Sequence, residues 1–278
     1  MYKFALCNEI FQDRKWSEVC EIIASIGYQG VEIAPFTLCS DVRSVSALQR
    51  ASIRNTASKA GLEVAGLHWL LVSPPGLSLT TSDMSISAET SAYLCALVDF
   101  CADLSGSVLV LGSPKQRRIS PGETSVQATE RLTSIIMPAL QRCEKHGLTL
   151  CLEPLPPPEA DLILTMQEAV EVINSIQHPN LKTILDVKSA SSEFFSIPDL
   201  IERYAPYIAH FHANDANRQG PGFGNSDFIP FMEALEKVSF DGYVSVEVFD
   251  IDPDPMTVAT ESLAYLRKCV RQRPMNTA

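Results

Sequence analysis

A chain of 278 residues that is 46% apolar and 20% charged has enough hydrophobic material for one sizeable core and too much for intrinsic disorder. Its formal net charge of −11 excludes the clustered basic face that phosphate-backbone binding needs, so the expected partner is a small molecule or a cation and not nucleic acid. No apolar run reaches the ~18 residues that cross a bilayer, Tyr2-Lys3-Phe4 leads straight into a strand pattern instead of a secretory leader, and the eight cysteines form no C-x-x-C pair; a cytoplasmic, membrane-free protein with free thiols is expected.

Taken in order, strand-like and helix-like segments alternate without a lapse. A strand over Tyr2–Asn8 precedes an amphipathic helix over Trp16–Ile26 that Gly27 stops. A strand over Gly30–Ala34 precedes a helix over Ser46–Ala60, stopped by Gly61. The third strand is expected over Glu63–Leu71, with His68 and Trp69 near its end, and the third helix over Glu89–Leu104. Ser107–Leu111 is a continuous apolar strand entering the loop GSPKQRR, and Ser125–Lys145 a long helix ended by His146-Gly147. In the second half, strand Leu148–Glu153 is stopped by Pro156–Pro158 and followed by helix Met166–Ile176. Strand Leu181–Asp186 then precedes helix Ile197–Tyr204, strand Tyr207–His212 precedes helix Asp227–Val238, and strand Gly242–Val248 precedes helix Pro255–Val270.

That makes eight β-then-α units, with short continuous apolar strands and no Gly-x-Gly-x-x-Gly after the first. A single-domain (β/α)8 TIM barrel spanning residues 1–278 is therefore expected ahead of an open doubly wound sheet. The period of two sets which side chains point inward: Glu153 with Cys151 and Thr149, Asp186 with Ile184, His212 with His210, and Glu247 with Ser245, while Leu150 and Leu152 face the helices.

Four consecutive strands, the fifth to the eighth, thus end in Glu153, Asp186, His212 and Glu247, at one level of a closing ring. Three carboxylates and one imidazole make an oxygen-rich set that suits one divalent ion, manganese first and magnesium, cobalt or zinc after it, with coordination positions left for substrate oxygens. His68 and Trp69 are expected to give the mouth a polar contact and an apolar wall. His210 is expected to orient a ligand from one layer below. Lys188 lies two positions past Asp186, so strand parity points it the same way, toward a carboxylate, carbonyl or phosphate of a substrate. The basic run Lys115 to Arg118 is either a solvated loop or a site for an acidic substrate.

The motifs in this order resemble the xylose isomerase-like TIM-barrel family, in its sugar isomerase/epimerase branch, and are similar to the ketose 3-epimerases. The matching pieces are LEP with Glu153 and, six residues on, Glu159; the LDV strand end with Asp186; HFHAND with His212; NR followed by PGFG, which holds Asn217 and Arg218; and VEV with Glu247. The resemblance implies that Glu153, Asp186, His212 and Glu247 bind one metal, that Glu153 and Glu247 are the acid/base pair working through an enediolate, and that Glu159 and Arg218 hold the far oxygens of a small carbohydrate. It also implies a homodimer or homotetramer. One position departs from the family: where the epimerases carry a histidine three residues after the strand-six aspartate, this chain has Ser189. Hydroxypyruvate isomerisation and inosose or sugar-acid dehydration are the alternatives on the same site. An abasic-site endonuclease, disfavoured by five histidines and the acidic charge, and a non-catalytic binding barrel stand further off.

Overall fold

Short apolar runs can bury both faces only between a layer of helices and a second layer of side chains, and closing the run of strands supplies that second layer. In the computed structural model, which describes residues 2–271, eight parallel strands close in chain order into one barrel. They are β1 (Lys3–Cys7), β2 (Gly30–Ile33), β3 (Glu63–Leu67), β4 (Val108–Leu111), β5 (Thr149–Leu152), β6 (Leu181–Asp186), β7 (Ile208–Ala213) and β8 (Tyr243–Val246), with β8 pairing back to β1. The outer ring is α1 (Trp16–Ile26), α2 (Ala47–Lys59), α3 (Met84–Asp103), α4 (Ser125–His146), α5 (Met166–Ile176), the short α6 (Val187–Ala190), α7 (Ile197–Tyr204), α8 (Phe228–Lys237) and α9 (Pro255–Arg271). The barrel expectation holds; the ends of the expected 1–278 span, residue 1 and residues 272–278, lie outside the described residues.

Local chemistry sets most boundaries. Ser46 with Gln49 and Thr124 with Gln127 form reciprocal capping boxes at the starts of α2 and α4, and Gly27 and Gly147 end α1 and α4 in the left-handed conformation. Two boundaries differ from expectation. Helix α3 begins five residues early because Asp83 accepts the backbone N–H groups of Ser85 and Ile86, which lets a polar first turn be helical. Strand β3 stops at Leu67 because Trp69 takes a positive φ of 51°.

Strand parity holds in both layers. Leu150, Leu152, Leu185, Phe211 and Val244 join the large cluster between strands and helices, while Val108, Val110, Cys151 and Ile184 form a separate cluster inside the barrel. The pairing register, in contrast, is staggered: Asp186 pairs with His212, yet His212 pairs with Ser245, so Glu247 stands two residues further along its strand. Strand tilt produces this stagger and still brings the ends together at one mouth. Beyond Asp186 the chain turns into α6, so parity no longer governs Lys188; the helical turn carries it instead. All eight cysteines are free, and among the described residues no helix is long and apolar enough to cross a membrane.

Candidate metal and active site

Glu153, Asp186, His212 and Glu247 each offer an atom within 4.8 Å of all the others, and all four are buried. Three of them, Asp186, His212 and Glu247, are held from behind by hydrogen bonds. Asp186 caps α6, its Oδ1 accepting the Ser189 N–H at 2.7 Å, while its Oδ2 accepts Asn214 Nδ2 at 2.6 Å. Asn214 is itself fixed by the Lys188 N–H, which donates to its Oδ1 at 2.8 Å. Glu247 Oε1 accepts the Trp69 indole N–H at 2.8 Å and lies 3.3 Å from His68 Nδ1; the other ring nitrogen of His68 is 2.9 Å from Glu9. The left-handed turn at Trp69 is what delivers the indole to that carboxylate.

Glu153 occupies space that only a glycine leaves open, since a Cβ on Gly112 would stand 2.0 Å from its Oε2. Gly112→Ala is therefore expected to keep the barrel folded but to push Glu153 aside, with a loss of turnover of about 10²-fold, the size of effect that a displacement of ~1 Å produces. Circular dichroism and steady-state rates on the variant check both halves. In the same way Gly224 of the PGFG loop packs against Asp215, which also accepts the Ser226 N–H and hydroxyl and so ties that loop to the end of β7.

His212 is fully buried, with Nε2 at 3.1 Å and 3.3 Å from the two oxygens of Glu32. Its Nδ1 lies 3.2 Å from Glu247 and 3.9 Å from Asp186 yet makes no hydrogen bond. Burial pushes the Glu153 carboxyl up to about 8, with Glu247 and Asp186 reinforcing the push. Burial also pushes Glu247 up, but His212 and His68 outweigh it and hold that carboxyl well below its ordinary value. An orphaned imidazole nitrogen facing three carboxylates that cannot all ionise together fits a divalent cation, whose charge relieves both defects.

Above the four lies a cavity of about 470 Å³, lined among others by His68, Trp69, Glu159, Lys188, Arg218 and Phe249. A slightly larger cavity, about 520 Å³, opens at the opposite end of the barrel, but its Glu63 is already bound to Lys3 at 2.8 Å and to the Tyr243 hydroxyl at 2.5 Å, and among the described residues no cluster of ligand side chains lines it. All four residues expected from the sequence to meet a substrate thus line the cavity above the cluster. Lys188 Nζ reaches both Glu159 oxygens, at 2.8 Å and 2.9 Å, and sits 4.8 Å from the Phe249 ring centre. Arg218, half exposed, lies 5.0 Å from the same ring with its Nε 3.4 Å from Asp250. His68 is more enclosed than expected, its ring pinned between two carboxylates at the cavity wall. The basic run divides: Arg117 is buried, and burial lowers its guanidinium to about 10, whereas Arg118 is a surface residue paired with Asp161 at 2.8 Å.

Sequence reasoning passed over Glu32, Glu9 and Asn214. Glu32 left a signal, a lone charge inside the otherwise apolar strand GVEI, where a solvent-facing role is impossible in a barrel buried on both sides. Glu9 left none, since a carboxylate in a short helical turn is ordinary, and Asn214 stood in the polar loop after His212 without a role of its own.

The description "xylose isomerase-like TIM barrel" matches residues 20–269 of the chain. A D-psicose 3-epimerase of Ruminiclostridium cellulolyticum is 32% identical over 120 residues, covering 43% of this chain and 41% of that relative, so the chain spans under half the length of this relative in the alignment. The 3-dehydro-D-guloside 4-epimerase of Escherichia coli is 27% identical over 276 residues, 96% of this chain and 100% of the relative. In fold, the chain is similar to a crystal structure of D-psicose 3-epimerase from Clostridium cellulolyticum H10 solved with D-tagatose, with a TM-score of 0.84 at 22% identity over 96% of this chain and 99% of that one.

Proposed function

The chain belongs to the xylose isomerase-like TIM-barrel family; we propose that it is an enzyme of the isomerase/epimerase type that moves a proton on the carbon beside the carbonyl of a small ketose or related hydroxy-carbonyl compound, with one divalent ion, manganese first, held by Glu153, Asp186, His212 and Glu247. The observation that carries this reading is the buried cluster with its orphaned His212 Nδ1 on the floor of a sugar-sized cavity. A bound ion supplies positive charge that stabilises the developing enediolate oxygens.

The rest is done by side chains. Glu153 and Glu247 reach the cavity from strands three apart in the ring, so they serve different faces of the reacting carbon, one taking a proton as the other returns one. Their environments push their proton affinities in opposite directions, which is the condition for one acid and one base in a single site. Lys188 and Glu159, already paired, present a donor and an acceptor to substrate hydroxyls, and Arg218 and His68 add further contacts at rim and wall.

A second reading places the same chemistry on a glycoside, as in the E. coli relative that aligns over its whole length. The row of rings from Phe36 through Trp69 to Phe249, with centres 5.9 Å and 6.3 Å apart, gives such a substrate an apolar shelf beyond the reacting sugar. Both readings are tested by incubating the metal-loaded protein in deuterated water with a panel of ketoses, hydroxypyruvate and keto-glycosides. Deuterium appearing at a carbon beside the carbonyl of one substrate is the expected result; a full metal complement with no exchange on any of them identifies a binder instead.

Ion uptake has to displace the proton that burial keeps on Glu153 up to about pH 8. It must also free the Nδ1 of His212, whose proton affinity Glu32 and Glu247 raise against the effect of burial. Uptake near neutral pH is therefore expected to release between about one and two protons per ion and to tighten by at least about tenfold per pH unit, levelling off only where both Glu153 and His212 have lost those protons. Calorimetric titrations in buffers of different ionisation enthalpy measure this directly.

A further inference from the structure

Below the cluster, in the closed interior of the barrel, Glu32 joins two histidines of β7. Its carboxylate has no solvent exposure; Oε2 lies 2.8 Å from His210 Nε2, and both oxygens face His212 Nε2. The Cys7 thiol donates to Oε2 at 3.7 Å. Two of the barrel's register shifts coincide with this clamp: one lies between Val31 and Glu32 in the pairing of β2 with β3, the other between Thr183 and Ile184 in the pairing of β6 with β7, just where His210 enters. Such irregularities re-aim side chains, and here they bring a charge from β2 against two rings that lie across the barrel.

A carboxylate only accepts hydrogen bonds, and a neutral imidazole has one nitrogen that donates and one that accepts. We infer that Glu32 is a positioning residue: by requiring the proton of His212 to sit on Nε2, it fixes the ring's tautomer and orientation so that the Nδ1 lone pair faces the three carboxylates. His210 holds the other side of Glu32 and keeps it from rotating away. The inference rests on the proposed metal site and adds to it the residue that decides whether its only nitrogen ligand is available.

Glu32→Gln keeps the size of the side chain but brings in an amide N–H that can donate to Nε2, which moves the histidine proton to Nδ1 and blocks the ligand. Manganese titration of wild type and variant is expected to show binding weakened about 10–100-fold, the range for loss of an outer partner of a metal-bound histidine. In the metal-free protein, at a pH where His212 carries a single proton, nitrogen NMR is expected to show that proton on Nε2 in the wild type and on Nδ1 in Glu32→Gln, a difference that a merely structural role for Glu32 would not make. Variant affinity within twofold of wild type, or a wild-type spectrum with the proton on Nδ1, overturns the inference while leaving the metal site standing. A wild type that takes up no ion overturns both. Where the variant does not fold, the wild-type spectrum decides alone.

Discussion

Glu153→Gln and Glu247→Gln are each expected to lower kcat by about 10²–10⁴-fold, the usual contribution of a positioned general acid or base. Each replacement keeps volume and a carbonyl oxygen while removing the carboxylate that exchanges a proton. The two variants should differ in exchange. If one face is served by Glu153 and the other by Glu247, a single variant still washes deuterium into the isomer whose proton faces the surviving carboxylate, and only the double variant loses exchange altogether. Single-turnover reactions in deuterated water with each epimer, followed by mass spectrometry, separate these outcomes. Equal loss of exchange from both epimers in both single variants would show that the carboxylates do not divide the faces between them.

His212→Ala is expected to have the second large effect, because it removes the nitrogen ligand outright. Divalent-ion binding should weaken by more than the about 10–100-fold that loss of an outer partner costs, with activity falling in proportion at fixed ion concentration. A structural cost accompanies it, since the ring sits between Glu32 and Glu247, both buried, and breaking a buried charge pair costs about 3–5 kcal/mol. Thermal unfolding fixes the temperature at which the variant is still folded, and metal content and rate are compared there. Excess manganese should restore part of the rate if the three carboxylates still converge; no restoration at any ion concentration would mean the imidazole does more than ligate.

Much of this architecture was legible before any coordinates. The alternation of apolar runs with amphipathic segments identifies the eight units, and an acidic or histidine residue just past four apolar runs in succession marks the mouth, because a barrel gathers strand ends wherever they fall in the sequence. What stayed hidden depends on backbone detail that residue type does not report. That the four ends meet at one mouth holds, but the register that brings them there is offset from strand to strand by tilt and by two irregularities that leave no pattern in the sequence. Lys188 was placed at the cavity by parity and arrives there by a helical turn instead, since Asp186 caps that turn with the same carboxyl group that points at the cluster. Glu32 shows a different limit. Its burial follows from the fold, but its partners lie 178 and 180 residues away, and no local spacing connects them.

The hydrogen bond from the Trp69 indole to Glu247 also makes the protein its own reporter. Indole emission responds to a charge held against its N–H, and this N–H is 2.8 Å from the carboxylate whose charge any bound cation or transferred proton would alter. The only other tryptophan, Trp16, donates to the Ile53 carbonyl between α1 and α2 and supplies a constant background. Stopped-flow fluorescence on the unlabelled chain therefore follows ion entry and substrate arrival in real time, and Trp16→Phe would isolate the signal from the mouth.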